Sequence, residues 1–260
     1  MGRDAAQGAT PNFHCRWRAV SHPARRPFPD GEGFFETLRT QDGKVAEFTR
    51  HMRRALTAAS ATGIRMPGEE SIRNEVSKAL AENPFTLGRL RICFTLSSMV
   101  ITHDPYEELI EGGFLTFSPH TSKAIGEQFK TFPYDSHYDV VDEARAHGFD
   151  DAMIFNSSNN VTETGLSNLA FLFGDTWVTS PISAGILPGT MRSLAIEKLD
   201  VQVRNIHITE VPQADEVVLL SSLKIAQSVE QIGEMRLACG EASQTFVAQM
   251  REKVQYFSVV

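Results

Sequence analysis

Residues 161 to 192 read VTETGLSNLAFLFGDTWVTSPISAGILPGTMR, and no other stretch of the 260-residue chain says as much about its fold. One acid, Glu163, precedes two apolar runs, Leu169 to Phe173 and Trp177 to Thr179, which read as the strands of a hairpin. Leu187-Pro188-Gly189-Thr190-Met191-Arg192 then opens a helix. A glycine at the mouth of a helix leaves backbone amides and the positive dipole end free for a phosphate. Neither feature is specific by itself: an isolated Glu is ordinarily a solvated surface group, and such helix starts occur throughout α/β proteins.

On the N-terminal side, Phe34 to Arg39 reads as a strand closed by the Gln41-Asp42-Gly43 turn, which makes a hairpin. A helix follows from Thr49, a good N-cap, to Gly63, with Met52, Leu56 and Ala59 as its apolar stripe and His51 and Arg54 on a different face. A second helix over Glu69 to Glu82 carries Ile72, Val76, Ala79 and Leu80 and stops before Pro84. Strands are expected at Arg89 to Leu96 and Phe114 to Phe117, and the small polar segment SPHTSKAIGEQ reads as a linker. Beyond it come a helix at Tyr138 to His147 before Gly148 and a strand at Ala152 to Phe155. Strands at Val201 to Ile208 and Val217 to Leu220 follow, and a last helix carries Phe246, Met250 and Val254 on one side. The reading is an α+β chain: a tail over residues 1–11, an N-terminal α/β domain over 12–117 that begins with a short strand near Phe13 to Ala19, a linker over 118–128 and a C-terminal α/β domain over 129–260.

Composition narrows the function. Hydrophobic residues at 42% and charged ones at 22% are ordinary for a globular protein and exclude disorder, collagen and coiled coil. A net charge of -7 argues against nucleic acid and anionic membranes as partners and favours a small polar substrate. Cys15, Cys93 and Cys239 lie far apart with no CxxC, so neither a disulfide frame nor a zinc site is expected and a reducing cytoplasm suits them. His103, His137 and His147 lack metal-ligand spacing and read as structural or surface groups. No run approaches the ~18 apolar residues that span a bilayer. The Arg-rich first thirty residues read as a solvated tail.

In order along the chain stand Glu163, Ser167-Asn168, Leu169 to Phe173, Thr179-Ser180-Pro181 and Leu187-Pro188-Gly189-Thr190-Met191-Arg192. Upstream are Asp30-Gly31-Glu32-Gly33-Phe34-Phe35-Glu36-Thr37, His51-Met52-Arg53-Arg54 and Phe129-Lys130-Thr131 followed by Tyr134; downstream, Asp215-Glu216-Val217 leads to Ser221-Ser222. This series resembles the class IV aminotransferases, the fold-type IV pyridoxal-phosphate enzymes, over residues 30 to about 230. The resemblance implies a two-domain fold like that of D-amino-acid aminotransferase, a homodimer, pyridoxal 5'-phosphate as cofactor and a small-molecule amine as substrate. It implies that Lys130 holds the cofactor as a Schiff base and later moves protons, a role open to a lysine that burial has stripped of charge. Lys123 is the alternative; Thr131 and Tyr134 after Lys130 match the family's order. Glu163 would face the pyridine nitrogen and keep it protonated. Arg54 would bind the phosphate by a charge-assisted fork, aided by the amides of Thr190 and Met191. Tyr134 would approach the phenolic oxygen, and the Ser221-Ser222 loop would receive the substrate carboxylate through its amides.

Within the family, Phe35-Glu36-Thr37 and Gly189-Thr190-Met191-Arg192 look most like the 4-amino-4-deoxychorismate lyase branch, which releases pyruvate and 4-aminobenzoate for folate synthesis. The D-amino-acid enzymes carry an arginine-containing carboxylate trap after the strand at Arg89 to Leu96; Thr95 to His103 contains no arginine. The residues before Asp30 and the Ser-Ser loop depart from the family's usual forms. A branched-chain or other class IV aminotransferase, and a cofactor-binding relative without turnover, remain the alternatives.

Overall fold

The computed structural model describes residues 28–108, 112–121 and 129–259. The expected tail, the strand near Phe13, residues 122–128 of the expected linker and the alternative lysine Lys123 lie outside the described residues.

The chain opens with a hairpin of β1 (Gly33–Gln41) and β2 (Lys44–Ala46). Gln41 pairs with Lys44 across Asp42 (φ 48°) and Gly43 (φ 75°), and two left-handed residues in a two-residue loop match the twist of antiparallel strands. Helices α1 (Phe48–Thr62) and α2 (Glu69–Glu82) lead to β3 (Leu87–Thr95) and β4 (Met99–Pro105). Along β1 and β3 the side chains alternate. Phe34, Leu38, Leu90, Ile92 and Phe94 pack with Phe48, Met52 and Ala55 of α1 and Ile72, Val76 and Leu80 of α2. Phe35 and Cys93 form a second cluster with Phe132 and Tyr134.

After β5 (Gly113–Thr121) come β6 (Thr131–Phe132), α3 (Asp135–Ala146), β7 (Asp151–Phe155), β8 (Val161–Thr164), β9 (Asn168–Phe173), β10 (Thr176–Thr179) and α4 (Thr190–Leu199). The chain finishes with β11 (Gln202–Val203), β12 (Glu216–Ser221), β13 (Ile225–Ile232), β14 (Met235–Arg236), α5 (Glu241–Lys253) and β15 (Tyr256–Phe257). The larger sheet runs β11-β10-β9-β12-β13-β5-β7-β8, with β14 on β13. One face, with Leu169, Phe171, Val217 and Leu219, meets Ile206 and Val211; the other, with Ala170, Val218 and Leu220, meets Leu194 of α4 and Phe246 and Met250 of α5. Covering both faces explains why β9 and β12 read as continuous apolar runs.

Several sequence expectations are corrected. The strand at Phe114 to Phe117, expected in the N-terminal half, lies inside the larger sheet as β5, whereas β6 and the final strand β15 join the smaller sheet β15-β2-β1-β3-β4. Helix α1 starts at Phe48, and its N-cap is Glu47 (φ 49°), not Thr49. Glu47 is held there by Gln255, whose carbonyl accepts the Glu47 N–H at 2.8 Å and whose N–H donates to Glu47 Oε1 at 2.8 Å. This tertiary clasp overrides the local capping preference of Thr49. Leu56 is 56% exposed, and the inward stripe is Phe48, His51, Met52, Ala55 and Ala58. Of Val201 to Ile208, only Gln202–Val203 is strand; Ile206 drops into the core and a 3-10 turn over Ile208–Gln213 begins. Strands β4, β8 and β13 carry polar residues among the apolar ones, which hid them from a reading based on apolar runs.

Candidate active site

Lys130 immediately precedes β6, whose pairing with β1 fixes its position: the Phe35 N–H donates to the Lys130 carbonyl at 2.8 Å. Its Nζ donates to the Tyr134 hydroxyl at 3.4 Å and sits 4.7 Å from the centre of the Phe35 ring and 4.6 Å from that of Tyr134. Burial between these rings, reinforced by the positive charge of Arg54, lowers the Lys130 pKa from 10.5 to about 7 despite Glu36 and Glu163. A substantial fraction of the lysine is therefore a free amine at neutral pH. Tyr134 caps α3, and burial together with Glu163 raises its pKa well above 10, so it is a neutral phenol. One turn on, His137 stacks on the Tyr134 ring with centroids 4.0 Å apart and planes 6° from parallel. Burial and Lys130 pull its pKa down to about 4.

Arg54 projects from α1 toward the start of α4. Its Nε and Nη2 donate to Glu36 at 2.8 and 2.6 Å, and its Nη1 donates to the Pro188 carbonyl at 3.3 Å. Burial opposes ionisation of Glu36, yet Arg54 and His51 outweigh it and hold the carboxyl at about 2. Arg53, its neighbour, is exposed. Two residues past Pro188, Thr190 and Met191 are buried in the first turn of α4, which contains no acidic side chain. The first amides of a helix have no intrahelical partner, so this end is suited to an anion.

Glu163 lies on β8, half-buried, and accepts from Asn168 Nδ2 at 2.9 Å and from the Leu187 N–H at 3.2 Å. Asn168 also donates to the Leu187 carbonyl at 3.1 Å, which ties β9 to the segment before α4. Gly189 is required here for space: a Cβ at that position would lie 1.9 Å from Asn168 Oδ1. Arg192 fastens the other side of α4, with Nε and Nη2 donating to the Ser180 carbonyl at 3.2 and 2.8 Å. Ser221 ends β12, and its Oγ accepts the Lys224 N–H at 3.3 Å. Ser222 Oγ lies 3.3 Å from His51 Nε2. The hairpin closes through Ile225, a β-branched residue at φ 63°, a conformation that costs on the order of 1–3 kcal/mol.

The structure thus brings Lys130, Tyr134, Arg54 and Glu163 into one electrostatic group. Arg54 senses Tyr134 and Glu163, and Lys130 senses Arg54, Glu36 and Glu163. Thr190 and Met191 join it through Pro188, and Ser222 through His51.

A family model described as amino-transferase class IV matches residues 33–232. The chain belongs to this family. The class IV chain is 23% identical over 169 residues to a Schizosaccharomyces pombe protein named as a candidate aminodeoxychorismate lyase, covering 63% of this chain and 72% of that protein. Among solved structures, a candidate 4-amino-4-deoxychorismate lyase from Legionella pneumophila superposes with a TM-score of 0.78 at 20% identity, over 86% of this chain and 91% of that one. A branched-chain aminotransferase from Thermoproteus uzoniensis gives 0.77 at 22% identity, over 85% and 84%. The two-sheet α+β architecture is therefore that of the fold-type IV pyridoxal-phosphate enzymes.

Three further residues belong to this cluster that no motif role in the sequence marks out. Glu36 and His51 stand within motifs that give them no role of their own, yet together they anchor Arg54 and contact Ser222. Arg91 belongs to no motif. It lies opposite Thr37 in the β1–β3 register, its guanidinium carbon 5.6 Å from the Phe35 ring centre and 5.0 Å from that of Phe28. Its Nη2 donates to the Tyr138 hydroxyl at 3.4 Å, and its buried Nε has no hydrogen-bond partner. Arg89, two residues earlier, has Asp104 at 3.3 Å; among the described residues no carboxylate pairs with Arg91. The alternation Arg89-Leu90-Arg91 in a strand was the signal that could have found it. No helix among the described residues is long and apolar enough to cross a membrane.

Proposed function

We propose that this chain is a pyridoxal-phosphate-dependent lyase that converts 4-amino-4-deoxychorismate to 4-aminobenzoate and pyruvate. The observation that carries the cofactor reading is Lys130, buried against Phe35 and Tyr134 with its pKa near 7 and flanked by Arg54 and Glu163. The donor set fits the cofactor: an amine free at neutral pH, a forked cation beside a helix start, and a fixed carboxylate on β8. When bound, pyridoxal 5'-phosphate supplies a carbonyl for attachment and a ring that withdraws electrons from the substrate's amine-bearing carbon.

Lys130 would hold the cofactor through its free amine and would be the base that takes the proton from the substrate's amine-bearing carbon. Glu163, oriented by Asn168 and Leu187, keeps a proton on the ring nitrogen. Arg54 and the amides of Thr190 and Met191 bind the phosphate. The Tyr134 hydroxyl serves the ring oxygen, and the Ser221-Ser222 loop offers its amides to a carboxylate. Arg91 reads another carboxylate: the substrate carries two, and a cation with an unsatisfied Nε beside Lys130 suits one of them. Phe35-Glu36-Thr37, Gly189-Thr190-Met191-Arg192, the arginine-free stretch from Thr95 to His103 and the likeness to the S. pombe protein support the lyase over a transaminase. The reading includes a cytoplasmic homodimer.

A coupled pyruvate assay with 4-amino-4-deoxychorismate, run beside keto-acid exchange with leucine, glutamate and D-alanine, tests it. Pyruvate release faster than any exchange is expected. Robust leucine turnover with 2-oxoglutarate and no 4-aminobenzoate would overturn the lyase reading in favour of a branched-chain aminotransferase.

A further inference from the structure

Glu36 stands where two separate parts of the site meet. Its carboxylate is 1% exposed and receives three hydrogen bonds, all from α1: Arg54 Nε at 2.8 Å, Arg54 Nη2 at 2.6 Å and His51 Nδ1 at 2.6 Å. The His51 ring is fully buried, and its other nitrogen lies 3.3 Å from Ser222 Oγ, 171 residues away in the β12–β13 loop. Strand β1, helix α1 and that loop thus converge on one acid through two side chains.

The chemistry of the contacts sets their polarity. Arg54 presents a permanent charge to both oxygens of Glu36, so the acid is ionised and can only accept. His51 must therefore carry hydrogen on Nδ1. In a neutral ring the remaining nitrogen, Nε2, is an acceptor, and the Ser222 hydroxyl is its donor. Burial lowers the proton affinity of His51, which favours this neutral form.

We propose that Glu36 and His51 are positioning residues: one carboxylate fixes the plane of the Arg54 guanidinium and, through the His51 tautomer, the Ser222 hydroxyl and its loop. The phosphate fork and the carboxylate-binding loop are thereby held in a single alignment. This rests on the reading that Arg54 and Ser222 serve cofactor and substrate. The Ser222 hydrogen is committed to His51, so Ser222 offers its side-chain oxygen only as an acceptor, and an anion at this residue must be taken by backbone N–H groups.

Two measurements on the full-length protein test the relay. The first needs no substrate: nitrogen-15 NMR of histidine-labelled protein should show His51 protonated on Nδ1 alone, and Glu36→Gln should move the proton population toward Nε2. A wild-type His51 protonated on Nε2 alone would overturn the proposal whatever the protein's reaction proves to be. The second is a cycle of Ser222→Ala, His51→Gln and the double variant, with thermal midpoints recorded to confirm folding. Each single change should raise KM for the amine substrate about five- to twentyfold while kcat stays within twofold, and the double should be no worse than the worse single. Pyridoxal 5'-phosphate affinity, titrated by absorbance, should stay within threefold in His51→Gln because the Arg54–Glu36 fork remains. Multiplicative KM losses in the double variant, or a harmful His51→Gln beside a neutral Ser222→Ala, would show that His51 acts on the fold and not through Ser222.

Discussion

Arg54→Met keeps the apolar stem and removes the guanidinium, and its first consequence falls on Glu36. In the intact protein Glu36 is held at about 2 against an ordinary 4.5. With each tenfold change in proton affinity worth about 1.4 kcal/mol, the ionised acid contributes about 3 kcal/mol of stability. Because its folded pKa is depressed, that contribution is present above pH 4.5 and is lost as pH falls from 4.5 toward 2. Without Arg54, burial opposes the charge and only His51 remains to support it, so the folded pKa rises above the ordinary value and the sign reverses. The variant should lose about 3–5 kcal/mol at pH 7, the cost of stranding a buried charge. It should recover part of that deficit as pH is lowered from 8 toward 4.5, when Glu36 takes up a proton. Urea unfolding followed by circular dichroism at several pH values measures the gap between variant and wild type. A gap below 1 kcal/mol, or one that does not shrink toward low pH, would refute the reasoning.

Lys130 should react as a base of pKa about 7: its labelling by a small aldehyde and borohydride, followed by peptide mapping, should rise with pH through neutrality, and a midpoint near 10 would contradict its burial. If the cofactor adduct trapped by borohydride maps to Lys123 instead, the assignment of the attachment site fails while the family stands. Arg91→Gln should raise KM for 4-amino-4-deoxychorismate by about ten- to a hundredfold, the value of a lost charged hydrogen bond of roughly 1.5–3 kcal/mol. An unchanged KM would remove Arg91 from substrate recognition. Gly189→Ala should weaken cofactor binding, since its Cβ would push on Asn168 Oδ1 from 1.9 Å and disturb the hold on Glu163; retention of wild-type affinity in an equilibrium titration would show that the segment yields freely.

How much of this was legible in the sequence differs from residue to residue. Lys130, Glu163, Arg54, Thr190 and Met191 can be singled out because each belongs to an ordered motif, and α2 is readable to its ends from its apolar periodicity together with the stop at Pro84. Glu36, His51 and Arg54 form one cluster, yet Glu36 precedes the other two by 15 and 18 positions, so only the packing of α1 on β1 reveals that they share bonds. Arg91 was hidden for a similar reason. Arg89 and Arg91 look alike in a strand, and only the β3–β4 register shows that Asp104 serves the first and not the second. The start of α1 is not legible locally because its N-cap, Glu47, is held in place by Gln255, more than two hundred residues away, a contact that no local capping rule encodes.

That distant clasp ties the site to the order in which the chain is synthesised. The smaller sheet ends in β15, which pairs with β2 through Tyr256–Ala46 and Phe257–Val45, and Gln255 locks Glu47 at the root of the helix that carries His51 and Arg54. A nascent chain can therefore complete the larger sheet while the smaller one still has an open edge, and the root of α1 is secured only after Gln255 has left the ribosome. Shortening the chain to Val254 would remove that lock and so act on Arg54 from about two hundred residues further along the sequence.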